Sequence, residues 1–100
     1  MNMQALMKQA QAMQKEITGI KEEIDNTIFE GKSSLVSVKV KGTKELVEVK
    51  IDENAKELIS DDLSMLEDMI TVALNDAFAN VDKATEEKMG KYSNMMNGLM

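Results

Sequence analysis

Between Met3 and Ile24, apolar side chains recur at alternating steps of three and four residues: Met3, Leu6, Ala10, Met13, Ile17, Ile20 and Ile24. An α-helix completes a turn about every 3.6 residues, so this spacing lines all seven along one narrow stripe. Such a stripe is the seam of a helix laid along another helix. Gln4, Lys8, Gln9, Gln11 and Gln14 cover the other faces. The spacing predicts a helix over residues 3–25, stopped at Asp25-Asn26, with Gly19 costing about 1 kcal/mol relative to alanine.

The period then changes to two. Thr27 to Glu30 reads as a short first strand and Gly31 to Ser34 as a small polar turn. Val36, Val38 and Val40 alternate with Ser37, Lys39 and Lys41; Gly42-Thr43 makes a tight turn; Val47, Val49 and Ile51 alternate with Glu48 and Lys50. This is a hairpin with a covered apolar face and a charged face that meets water or a ligand. Its outward Lys and Glu residues read as cross-strand pairs. Residues 52–59 connect, with one helical turn at Ala55–Ile59. Ser60 or Asp61 is the expected cap of a second long helix from Asp62 to Lys91. Its stripe is Leu63, Leu66, Ile70, Ala73, Leu74, Ala77, Phe78, Val81 and Ala84, and Gly90 ends it. Tyr92 to Met100 lacks periodicity and is expected to be a flexible tail. The fold class is therefore α+β, with order α-β-β-β-α, as one domain over 1–91 and a tail over 92–100.

Lengths add a constraint. The two helices would be about 35 Å and 45 Å long. Three six-residue strands make a sheet about 20 Å long. The sheet cannot cover both stripes, yet both continue almost end to end. A symmetric second copy is the common solution, so a homodimer is expected, its interface formed by Met3, Leu6, Ala10, Met13, Ile17 and Ile20 with Leu66 and Ile70.

Composition excludes most catalytic chemistry. There is no His and no Cys, so the commonest general base, thiolate ligands and disulfides are absent. Serine and threonine have no imidazole to activate them. The acid pairs Asp61-Asp62, Glu67-Asp68 and Glu86-Glu87 are adjacent on a helix and point about 100° apart, so they do not converge on a substrate. No calcium-loop or glycine-rich phosphate-loop spacing occurs. No enzyme activity, metal, cofactor or small-molecule substrate is expected. No stretch approaches the roughly 18 apolar residues of a membrane span, and the start does not read as a signal peptide. A cytoplasmic chain without a membrane partner is expected. Ten methionines suggest adaptable apolar surfaces.

Net charge is −6, which at first argues against nucleic acid, but the charge is unevenly placed. Residues 1–15 carry Lys8 and Lys15 and no acid; residues 28–51 carry five lysines against three glutamates; residues 52–82 carry nine acids against Lys56 alone. Lys8, Lys15 and the amino terminus lie toward the positive end of the first helix, an arrangement suited to phosphate.

Three stretches, MQALMKQAQAMQKEI at 3–17, LVSVKVKGTKELVEVKID at 35–52 and DDLSMLEDMITVALNDA at 61–77, resemble the YbaB/EbfC family of small bacterial nucleoid-associated proteins. The resemblance rests on L-M-K-Q-A-Q-x-M-Q followed by L-E-D-x-I-x-x-A-x-N-D-A and covers nearly the whole chain in order. It implies a tweezer-like homodimer that binds double-stranded DNA, alters its conformation and resides on the nucleoid. The chain departs from the family in having Glu30-Gly31-Lys32-Ser33-Ser34 where a glycine-rich stretch is common, and an Asn- and Met-rich tail. On that reading the phosphate contacts would be Lys8, Lys15, Lys83, Lys88 and Lys91, with Lys21 disfavoured by nearby Glu22 and Asp25. Because every basic residue is Lys, contacts would be point charges on the backbone. The rival reading is a non-enzymatic interaction adaptor that binds a helical partner through the seam or the methionine-rich surface.

Overall fold

The computed structural model describes residues 2–58 and 62–92. The order is α1 (Met3–Asp25), β1 (Ile28–Ser33), β2 (Val36–Lys41), β3 (Leu46–Ile51), a single-turn α2 (Ala55–Leu58), α3 (Leu63–Met89) and a 3-10 turn (Gly90–Tyr92). This is the expected α+β order, with α2 in the connector. The strands form one antiparallel sheet in the order β1-β2-β3.

Both long helices begin on a side-chain cap. Asn2 accepts the N–H groups of Gln4 and Ala5 at 3.1 and 3.4 Å. Asp62, in extended backbone, accepts the Ser64 N–H at 3.0 Å and the Ser64 hydroxyl. The Ser64 hydroxyl, and then its amide, hold the Asp62 carboxyl below the ordinary aspartate value. Asp62 is thus the cap rather than the first helical residue; Ser60 and Asp61 lie outside the described residues.

β2 is the centre of the core. Val36, Val38 and Val40 pack against Ala73, Ala77 and Val81 of α3, and Phe29, Leu66, Met69, Ile70, Leu74 and Phe78 close around them. β1 runs to Ser33, through the stretch expected to be a turn. Gly31 sits inside the strand because α3 passes directly over it: a Cβ there would lie 2.2 Å from the Ala73 carbonyl oxygen and 2.3 Å from the Ala77 nitrogen. The glycine serves close approach, and the reversal falls at Ser34 (φ 49°) and Leu35. Asp76 and Asn80 of α3 then seal the outer edge of β1. Asp76 Oδ2 accepts the Lys32 N–H at 3.0 Å, and Asn80 Nδ2 donates to the Glu30 carbonyl at 2.8 Å.

The third strand departs from expectation. α3 lies on β1 and β2. A helix about 10 Å across covers about two strands spaced 4.8 Å apart. The apolar residues of β3, Leu46, Val47, Val49 and Ile51, are consequently all exposed, Val47 by 50%.

α1 and α3 meet antiparallel at their C-terminal ends. Lys88 Nζ lies 2.5 Å from Glu23 Oε1, and the Tyr92 hydroxyl donates to the Glu16 carboxylate. Tyr92, placed by sequence at the start of the tail, is buried; residues 93–100 lie outside the described residues. N-terminal to Glu16, α1 continues for about 20 Å beyond this contact. Exposure along its seam falls from 70% at Met3 through 48% at Leu6 to 4% at Ile24. The molecule measures 72 × 21 × 16 Å, with a radius of gyration of 19.6 Å. A compact chain of this length has about 13 Å. Its accessible surface is 7570 Å², against about 5,700 Å² for a compact monomer of this mass.

Candidate nucleic-acid interface

The projecting part of α1 positions two of the expected DNA contacts. Lys8 and Lys15 are seven residues apart, about 10 Å along the axis and on one helix face. That face lies about 180° around the helix from the seam. Both are exposed, and neither makes an ion pair among the described residues. A partner covering the seam would leave them in solvent. The helix start itself is less open to phosphate than expected, because Asn2 already occupies the Gln4 and Ala5 N–H groups.

Lys83 is exposed on α3, without an ion pair among the described residues, on the side turned away from the buried Ala77 and Val81. With Glu16 level with Tyr92, Lys83 and Lys8 are separated by about 25 Å along the long axis, roughly seven phosphates of one DNA strand. Lys88 is engaged with Glu23, so it reaches a phosphate only by leaving that carboxylate. Lys91 lies in the 3-10 turn at the base of the projection. Lys21 pairs with Asp25, one of the two acids that disfavoured it, at 3.7 Å.

Of the expected interface residues, Met3, Leu6 and Ala10 are exposed, while Met13, Ile17 and Ile20 are half-buried. Leu66 and Ile70 are also half-buried, already packed on the chain's own core. The sequence reading missed the bare apolar surface on β3. Its signal was present: a two-layer fold with one core helix cannot cover three strands.

Other lysines lie on the outer sheet face and in the β2–β3 turn. Lys39 pairs with Glu48 at 3.6 Å and Lys41 with Glu45 at 3.8 Å, as the alternation suggested. Lys44 pairs with Asp82 at 3.0 Å and lies 5.8 Å from the centre of the Phe78 ring. Among the described residues no cluster of acids could hold a metal, and no helix is long and apolar enough to cross a membrane.

Comparison with known proteins places these features in a family. Residues 1–96 match the YbaB/EbfC DNA-binding family. A "Nucleoid-associated protein" of Ligilactobacillus salivarius is 42% identical over 99% of this chain and 95% of its own length. Proteins of the same description from Lactococcus lactis subsp. cremoris and Streptococcus sanguinis are 44% and 43% identical, each over 93% of this chain and 94% of its own length. The crystal structure of the uncharacterized protein HP0035 from Helicobacter pylori superposes with a TM-score of 0.67 at 30% identity, covering 96% of this chain and 98% of the other. The chain belongs to the YbaB/EbfC DNA-binding family.

Proposed function

We propose that this protein works as a homodimer on the bacterial nucleoid, holding double-stranded DNA through its backbone phosphates and altering its conformation, with an influence on gene expression. The observation that carries this reading is the α1 projection. It presents Lys8 and Lys15 on one face and a bare apolar seam on the opposite face. The first face suits a polyanion and the second a twin chain. The surplus surface, about 1,900 Å² over a compact monomer, exceeds the roughly 800 Å² each partner buries in a standard interface. The seam from Met3 to Ile20 and the β3 row Leu46, Val47, Val49 and Ile51 are the proposed contact surfaces, with Leu66 and Ile70 at their margin. Two such projections joined by one core would form a pair of charged arms.

Lys8, Lys15 and Lys83 are the proposed principal contacts, with Lys91 nearby and Lys88 in reserve behind Glu23. Counting the three principal lysines of each protomer, the logarithm of affinity should fall with the logarithm of salt at a slope of about −5. Lys8→Glu together with Lys15→Glu should weaken binding to every sequence and flatten that slope to about −2. A fluorescence-anisotropy titration of a duplex at several salt concentrations reads both. An unchanged slope and affinity in the double variant would remove α1 from the DNA site.

A further inference from the structure

The sheet face opposite α3 is organised in cross-strand rows, and one row differs from the rest. Glu30, Lys39 and Glu48 lie side by side across the three strands, so positive and negative charge alternate. Ile28 lies beside Lys41, whose ammonium is held by Glu45. In the remaining row Lys32 and Lys50 flank Ser37 with no acid between them. Neither ammonium makes an ion pair among the described residues, and both residues are exposed. The row borders an open hollow of about 260 Å³ lined by Lys32, Ser34, Leu35, Val36, Ser37, Lys50 and Asp52.

From this we infer a second phosphate-binding surface, the Lys32–Ser37–Lys50 row, that takes the backbone of a duplex other than the one held by the α1 arms. Two lysines on strands about 10 Å apart bracket a serine hydroxyl that can donate between them. The chemistry is that of a phosphodiester, two flexible point charges and one neutral donor, without the planar fork that reads a base. Location separates the row from the first site. Lys32 is level with Asp76 of α3, its own N–H being held by that residue. From there to the level of Lys8 is about 35 Å along the molecule. The row also faces away from α3, on whose far side Lys83 stands. One straight duplex running along Lys83 does not reach it, whereas a second duplex does. The inference rests on the proposed DNA function and adds that one assembly joins two DNA segments.

The test uses the full-length protein, an immobilised duplex and a second, fluorescent duplex in solution. Wild-type protein should carry the fluorescent duplex onto the surface. Lys32→Glu with Lys50→Glu should reduce that capture about tenfold at low salt while leaving binding of a single duplex within about twofold. Circular dichroism confirms that the variant folds, and Lys32→Gln with Lys50→Gln provides a charge-neutral second variant that should show a smaller loss. In parallel, the amide resonances of Lys32, Ser37 and Lys50 should shift on titration with the free duplex. Single-duplex binding without capture, or capture that the variants leave intact, would overturn the inference and leave the first site standing. Shifts confined to the sheet row, with none on α1, would overturn the α1 assignment and, with it, the inference of a second duplex. No shift at the row under any condition would overturn the inference.

Discussion

Replacing Gly31 by alanine tests how closely the sheet and α3 are fitted. The added Cβ would lie 2.2 Å from the Ala73 carbonyl oxygen, 2.3 Å from the Ala77 nitrogen and 2.7 Å from the Ala77 Cβ. Ordinary contacts of this kind are near 3.5 Å, so strand and helix must part by roughly 1 Å. The two nearest atoms are backbone, which no rotamer change can move aside. Separation would also stretch the Asp76 bond to Lys32 and the Asn80 bond to Glu30, which span the same gap. Overpacking typically costs about 1–3 kcal/mol, and each compromised hydrogen bond about 1 kcal/mol. A loss of about 3 kcal/mol is therefore expected, which for a chain of this length lowers Tm by about 10–20 °C. Thermal unfolding followed by circular dichroism at fixed protein concentration measures it. Adding Ala77→Gly should rescue little, because it removes the 2.7 Å contact and leaves the two shorter ones. The control is Gly19→Ala, where nothing lies within 4 Å of the new Cβ; it should stabilise α1 by about 0.5–1 kcal/mol. A Gly31→Ala protein that melts within about 2 °C of wild type would refute the close-approach explanation.

Three further outcomes are expected. Asp62 caps α3 as a carboxylate whose pKa is lowered on folding. Its contribution is complete above the unfolded value of about 3.9 and is lost as pH falls through the lowered folded value. An Asp62→Asn protein, whose cap does not titrate, should lose less stability over that acid range in a chemical-denaturation series; identical pH profiles would remove Asp62 from the cap. Asp76→Ala leaves the Lys32 N–H without its helix partner and should cost about 1 kcal/mol, with faster amide exchange at Lys32. Protection at Lys32 equal to wild type would contradict the sealing of this edge. Glu23→Gln frees Lys88 from its exposed ion pair at a stability cost of about 0–1 kcal/mol and should steepen the salt dependence of DNA binding. An unchanged slope would exclude Lys88 from the interface.

Local periodicity made most of the elements legible in the sequence. The 3-4 spacing of Met3 to Ile24 fixed α1 at the bounds observed, and the alternation of Val36, Val38 and Val40 identified the core strand. Asn26 and Gly90 marked helix ends for local reasons. The errors lie where a residue's role depends on a distant neighbour. Gly31 and Gly42 both read as turn formers. Gly42 does stand in the turn after β2, but Gly31 lies inside β1, and both are places of close approach that the sequence reading did not foresee. Gly31 is pressed against α3, and a Cβ on Gly42 would lie 1.9 Å from the Ile24 carbonyl oxygen at the end of α1. Lys83 and Lys88 looked equivalent, but only the second meets Glu23, 65 positions earlier. The exposed β3 row reads as covered because alternation reports which face is apolar and not whether a helix is wide enough to reach it. At the proposed DNA site, charge placement pointed to Lys8 and Lys15, while family resemblance was needed to name the partner. The Lys32–Ser37–Lys50 row required the strand register, which alternation alone leaves open.

Sedimentation equilibrium of the full-length chain over a dilution series tests the central claim most directly: the bare arm seam and the bare β3 row are covered by a twin. A species of about 22 kDa, twice the chain mass of 11.1 kDa, is expected, with Leu6→Asp and Val49→Asp each shifting it toward the single chain. A stable 11.1 kDa species at every concentration, unaffected by either substitution, would contradict it.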